Sequence, residues 1–202
     1  MSIRILVADD QALVRGALVA LLNLESDLEV VAEADGGAAA AELAERLAVD
    51  VCVLDIQMPG VDGIEAARRI RAGVPGCRTL MVTTFGRTGY LREALQAGAS
   101  GFVVKDTPAS ELAEAIRKVH AGLRVVDPEL AAASLSEGEN PLTERERQTL
   151  ALARDGKAVA AISAVLHLSA GTVRNHLSSA IGKTGAANRI EAAGIAAERG
   201  WL

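Results

Sequence analysis

Asp9, Asp10, Asp55, Thr83 and Lys105 are the side chains through which this sequence can do chemistry. Each follows or closes a short apolar run. Asp9 and Asp10 come after Ile3–Ala8 (IRILVA), and Asp55 after Val51–Leu54 (VCVL). Thr83 and Thr84 close Leu80–Val82, and Lys105 comes after Phe102–Val104. Such runs read as strands buried on both faces of a parallel sheet. Met58, Pro59 and Gly60 then turn the chain, placing Asp55 at the carboxyl end of its strand. In an open α/β sheet that edge holds the ligand site, so side chains scattered along the sequence converge on one crevice.

Taken alone, Asp55 reads better as a solvated carboxylate capping the next turn; its companions change that. A carboxylate at a strand end can ligate a hard cation, attack phosphorus, or both. Three carboxylates packed bare repel, which raises a pKa or demands a cation. An oxygen-only cluster without histidine or cysteine suits Mg²⁺, which takes carboxylates together with phosphate oxygens. Lys105 supplies a compact positive charge for a phosphoryl group and Thr83 a hydroxyl donor. The set reads as a phosphoryl-accepting aspartate.

The elements that must position these residues alternate in type. Strands are expected at Ile3–Ala8, Val30–Ala34, Val51–Leu54, Thr79–Thr83 and Gly101–Val104. Each is followed by a segment of helical period: Ala12–Leu24, Ala38–Leu47, Gly63–Arg71, Tyr90–Ala97 and Ser110–Ala121. Five βα units predict a five-stranded, parallel, doubly wound sheet of flavodoxin-like order, its crevice flanked by the first and third strands. This α/β domain spans residues 1–122. A linker follows over 123–141, starting as a short helix at Glu129–Leu135, and a small all-α domain occupies 142–202.

In that last domain Thr143 and Glu146 form a capping box for a helix over 143–154. A second helix covers Ala158–Leu166, a turn His167–Ser169, and a third helix runs from Ser169 to about Thr184, its start marked by Thr172. Arg189–Arg199 makes a fourth, after which Trp201 folds back as an apolar anchor. Two short helices joined by a tight turn are helix-turn-helix geometry, whose second helix enters the DNA major groove. On it Arg174, Asn175 and Ser178 share an outward face while Val173, Leu177 and Ile181 point inward. Arginine suits guanine or phosphate, and asparagine suits adenine. The bland alternative is an ordinary amphipathic helix facing solvent.

Charge is divided to match. Residues 1–124 carry 13 Lys/Arg against 17 Asp/Glu, residues 125–140 none against 4, and residues 141–202 carry 8 against 5. An acidic front with a mildly basic tail confines phosphate attraction to the tail. No apolar run approaches the ~20 residues a membrane helix needs, and Cys52 and Cys77 are expected to be free core thiols. A cytoplasmic protein is expected. His120, His167 and His176 show no metal-ligand spacing; His120 is expected at a helix end.

Residues 3–121 resemble a response-regulator receiver domain, on Asp9-Asp10, LDIQMPG around Asp55, VTT at Val82–Thr84 and GFVVKD at Gly101–Asp106. Residues 142–200 resemble the helix-turn-helix of the LuxR/NarL/FixJ family, on LTERE at Leu142–Glu146 and LSAGTVRNH at Leu168–His176. The resemblance implies that a sensor histidine kinase donates a phosphoryl group to Asp55. It implies a Mg²⁺ site of Asp10, Asp9 (directly or through water), Asp55 and the backbone carbonyl of Gln57. Lys105 would hold one phosphoryl oxygen, Thr83 would move to another, and Phe102 would turn inward as a hydrophobic switch. Gly86 and Gly89 would bracket the moving loop.

Homodimerisation on activation would pair two recognition helices on double-stranded promoter DNA, with RNA polymerase a further candidate partner. Thr172, Arg174, Asn175 and Ser178 fall on the family's DNA-contacting stretch, with Lys183 and Arg189 as backbone contacts. LLNLES, TTFGRTGY, NRIEA and GWL resemble the subgroup that controls membrane-lipid desaturation. Ser178 and Ser179 stand where basic residues are common, Gly182 interrupts the recognition helix, and Thr184 replaces a larger apolar residue. Two other readings compete: a Mg-dependent aspartyl-phosphatase using Asp55, and an adaptor whose tail binds protein or RNA.

Overall fold

Val51–Asp55 is buried along its whole length, as a central strand with helices on both faces must be. In the computed structural model, which describes residues 2–84, 88–128, 130–132 and 140–202, this strand is β3 of a six-stranded sheet. The strands are β1 (Ile3–Ala8), β2 (Leu28–Ala34), β3 (Val51–Asp55), β4 (Arg78–Thr83), β5 (Gly101–Val104) and β6 (Val125–Val126). Their order is β2-β1-β3-β4-β5-β6, all parallel. The helices between them are α1 (Ala12–Leu22), α2 (Gly37–Leu47), α3 (Gly63–Gly73), α4 (Thr88–Ala97) and α5 (Ala109–His120).

The period-two alternation of the strands sorts the core into two layers. Leu6, Cys52, Leu54, Met81 and Phe102 face one side, against Ala40 and Ala44 of α2, Ile64 and Ile70 of α3, and Leu91 and Ala94 of α4. Ile5, Val7, Val51, Val53, Leu80, Val82 and Val103 face the other, against Leu22 of α1 and Leu112, Ile116 and Val119 of α5. Alanine on the helices lets them lie close to the sheet, which is how a chain almost without aromatics fills its core.

Two sequence expectations are corrected here. Val125-Val126, expected in the linker, form a sixth strand: Gly122 turns the chain and Val125 N–H reaches Ser100 O at 3.1 Å. Two residues are too few for alternation to reveal. The first helix ends at Leu22 rather than Leu24, because Asn23 caps it and its Oδ1 accepts the Val30 N–H at 3.0 Å. Pro128 and residues 130–132 are helical, with Asp127 Oδ1 accepting the Leu130 N–H at 3.0 Å. The rest of the expected linker helix lies outside the described residues. Cys52 and Cys77 are free and buried, their sulfurs 3.5 Å apart.

The first turn of α4 aside, residues up to 133 form one compact unit and residues from 134 a second. In the second, helices α6 (Glu144–Arg154), α7 (Val159–Leu166), α8 (Ala170–Thr184) and α9 (Arg189–Glu198) surround Leu150, Ile162, Val173, Leu177 and Trp201. Starts are capped as the sequence dictates: a Thr143–Glu146 capping box, Ser169 before α8 and Asn188 before α9. His167 takes a left-handed turn conformation (φ 54°) between α7 and α8. Trp201 is 5 % exposed, and its carbonyl accepts Arg147 Nε–H at 2.8 Å. Among the described residues no helix is long and apolar enough to cross a membrane.

Candidate functional site

Parallel register brings the chemistry together. Ala8 pairs with Leu54, Asp55 with Val82 and Thr83 with Val104, so Asp9, Asp55, Thr83 and Lys105 emerge from four adjacent strand ends. The order reverses between β1 and β3, the place where doubly wound sheets open a crevice. Carboxylate oxygens of Asp9, Asp10 and Asp55 lie within 4.8 Å of one another. Lys105 Nζ stands 2.7 Å from Asp9 Oδ2 and 3.3 Å from Asp55 Oδ1. Asp9 and Asp55 are buried (1 % and 5 % exposed), whereas Asp10 opens to solvent.

Asp9 accepts the Gln11 N–H through Oδ1 at 2.9 Å. Its other oxygen and the Lys105 ammonium meet as an ion pair by distance, but neither atom has an aligned hydrogen-bond partner. Three acids against one lysine leave the pocket negative. An all-oxygen set at this spacing, with three acids against one lysine, fits a hard divalent cation.

Burial pushes the Asp55 carboxyl above its ordinary pKa; Lys105 pulls it down and Asp9 pushes it further up. Burial works against the charge of Lys105, yet Asp9 and Asp55 outweigh it and hold its pKa above the usual lysine value. Each side chain thus reports the other's charge.

The loop after Asp55 is fixed by glycine. Asp62 caps α3, its Oδ1 accepting the Glu65 N–H at 2.8 Å, and Gly63 N–H reaches Ile56 O at 3.0 Å. A Cβ at Gly63 would overlap the Asp55 carbonyl oxygen, so a side chain there would push the helix off the strand end. Gln57 Nε2 donates to Tyr90 Oη at 3.2 Å, joining this loop to α4. Thr83 is buried and Thr84 exposed. Phe102 is completely buried in the layer under α2, α3 and α4. Gly89 lies in the first turn of α4, and Gly86 lies outside the described residues.

In the second unit Arg174, Asn175 and Ser178 are exposed on α8, while Val173 and Leu177 are buried and Ile181 packs against the core. Thr172 turns back: its hydroxyl lies 2.8 Å from Ser169 Oγ. Arg189 opens α9 and is half-buried. Lys183, expected as a contact to the DNA backbone, stands 2.7 Å from Glu146 Oε2. Ser179, standing where basic residues are common in the family it resembles, donates to the other oxygen of Glu146 at 2.6 Å.

Glu146 thus joins α6 to α8 while closing its own capping box. Burial opposes its charge, but Lys183, Ser179 and Thr143 lower its pKa to about 2. Reading helices one at a time misses this cross-helix contact; the faint signal was Ser179 and Lys183 one turn apart on one face.

Comparison with known proteins gives the same two parts. The response regulator receiver domain family matches residues 5–117, and the bacterial regulatory protein family of LuxR type matches 140–196. Transcriptional regulatory protein DesR of Bacillus subtilis (strain 168) is 44% identical over 200 residues, covering 99% of each chain. Response regulator RamR of Streptomyces coelicolor is 42% identical over 202 residues, covering 98% of each. Among solved structures, response regulator ChrA of a heme-sensing two-component system aligns over 100% of this chain and 99% of its own, with TM-score 0.60 and 34% identity. The fold is also that of the response regulator RcsB in an RcsB–DNA complex (TM-score 0.68, 24% identity, 98% and 99% covered). An acidic strand-end pocket with its lysine, followed by a capped helix-turn-helix, belongs to one architecture: this chain is a member of the response-regulator family, a receiver domain joined to a LuxR-type DNA-binding domain, and a DNA-binding transcriptional regulator of the two-component kind.

Proposed function

We propose that Asp55 is the phosphoacceptor of this regulator. An Asp55 carboxylate oxygen attacks the phosphorus of a sensor kinase phosphohistidine; the P–N bond breaks, histidine leaves, and an acyl phosphate forms. The approach of Lys105 to both Asp9 and Asp55 carries this reading, because it sets a buried ammonium where a phosphoryl oxygen would rest. Thr83, which closes β4, would turn its hydroxyl to a second phosphoryl oxygen. Asp9, Asp10 and Asp55, with the Gln57 carbonyl, would hold Mg²⁺, which when bound offsets phosphoryl charge. The Gln57 amide is too weak an acid to serve as a general acid, which supports a lasting phosphoryl mark over phosphatase turnover.

Phosphorylation then promotes pairing of two copies. We place the contact on α1 and α5, where Leu13 (87 % exposed) and Leu21 (43 %) show apolar surface to solvent. A groove there runs from Leu13, Leu18 and Leu21 past Leu112 to Lys105 and Thr107, linking it to the acidic pocket. In the dimer the two α8 helices present Arg174, Asn175 and Ser178 to adjacent half-sites of promoter DNA, with Arg189 and the Thr172 end of α8 near the backbone. RNA polymerase then meets the bound dimer, and the protein works in the cytoplasm.

Phosphoryl transfer from a phosphorylated kinase, read by intact mass, tests the first step. Asp55→Asn should take up no phosphoryl group while keeping the fold; persistent labelling would show that another carboxylate is the acceptor. Footprinting tests the second: Arg174→Ala should weaken protection, and an unchanged footprint removes it from the recognition surface.

A further inference from the structure

The loops that lead into β4, β5 and β6 lie on the amino edge of the parallel sheet, opposite the aspartate crevice. They line an open cleft of about 290 Å³ whose walls include the exposed Arg71, Arg78 and Arg124, with Thr79 and Ser100, and no carboxylate. Several other arginines in this domain have acidic partners: Arg69 pairs with Glu65 at 3.0 Å, and Arg117 with Glu25 and Asp27 at 2.7 and 2.8 Å. Among the described residues, none of the three cavity arginines makes an ion pair or a side-chain hydrogen bond. One acid acts electrostatically on the nearby Cys77, Asp50, and its Oδ2 is occupied by the Arg4 N–H at 2.8 Å.

Helix ends explain part of this arrangement. Arg71 lies in the last turn of α3, where a cation suits the helix dipole. That accounts for one arginine and not for the gathering of Arg78 and Arg124 at the same cleft, where an anion between them would offset their mutual repulsion. Arg71 is also seated. Gly98 takes a left-handed conformation (φ 96°), and a Cβ there would overlap Arg71 Cδ and Nη1, so the side chain rests against the bare glycine.

We propose that this cavity binds a small, multiply charged phosphate anion, held by the forked donors of Arg71, Arg78 and Arg124. Guanidinium forks match phosphate oxygens two at a time, and the Ser100 hydroxyl adds a neutral donor in the lining. The cavity is large enough for a pyrophosphate or a compact phosphorylated metabolite.

Titrating the full-length protein with inorganic pyrophosphate in metal-free, low-salt buffer tests this, by calorimetry and by amide NMR shifts. Saturable binding with shifts at Gly98, Ser100 and Gly122 is expected. Arg71→Ala and Arg124→Ala should each weaken it about tenfold. Arg71→Lys, which keeps the charge and loses the fork, should fall between. Arg46→Ala, at an exposed arginine on the end of α2, should leave affinity unchanged. The proposal fails if pyrophosphate does not bind. It fails equally if shifts centre on Asp9, Asp55 and Lys105, or if Arg46→Ala costs as much as the cavity variants. Matching thermal unfolding of the variants shows that lost binding is not lost folding.

Discussion

A glutamate that caps its own helix and also holds two side chains of another is a charge the domain depends on. Glu146 has its pKa lowered from 4.5 to about 2. For an acid depressed in the folded state, the stabilisation is complete above the unfolded value and disappears as pH falls toward the folded one. The LuxR-type domain should therefore lose on the order of 2 kcal/mol between about pH 4.5 and 2, discounted for the partial exposure of Lys183. Calorimetry of wild type against Glu146→Gln checks this: the variant should show a flatter acid limb, and parallel curves would remove Glu146 as the cause. Because Glu146 engages Lys183, substitutions at Lys183 and Arg174 are expected to differ in their effect on DNA binding. Each phosphate contact contributes about 0.9 to the slope of log K against log salt. Arg174→Ala should make the slope shallower by about one contact, and Lys183→Ala should leave it nearly unchanged apart from a stability loss.

At the scale of elements, the recognition helix contains a weakness that can be repaired. Gly182 lies inside α8 on its exposed side, and nothing stands within 4 Å of where its Cβ would be. Gly182→Ala should stabilise the domain by about 1 kcal/mol, seen as a higher urea midpoint at unchanged m-value. The sequence revealed its elements unevenly, for physical reasons. Runs such as Val51–Leu54 and Gly101–Val104 announce buried strands because both faces must be apolar. Val125-Val126 does not, since two residues carry no period. Capped helices were legible where Thr143 and Ser169 satisfy local N–H groups. The Glu146–Ser179–Lys183 contact and the Arg71–Arg78–Arg124 cavity depend on how separate segments pack, and no local pattern encodes that. The aspartate pocket was legible despite its scatter, because strand ends of a parallel sheet have one destination.

For the whole molecule, the proposed pairing surface can be tested through association. Leu13 and Leu24 are 87 % and 80 % exposed near α1, a large display of apolar surface for a free chain. Leu13→Asp combined with Leu24→Asp should weaken phosphorylated dimers about tenfold or more by sedimentation, while uptake of the phosphoryl group by Asp55 stays intact. An unchanged dimer would move the contact away from α1 and α5.

The chain has a single tryptophan, Trp201, buried in the LuxR-type domain with the Arg199 guanidinium 4.9 Å from its ring centre. The lone tyrosine, Tyr90, belongs to the layer under α2, α3 and α4 of the receiver. Indole fluorescence is therefore a built-in optical probe of one half of the protein. Without any label, its quenching or red shift would time the melting of the DNA-reading half separately from the half that takes the signal.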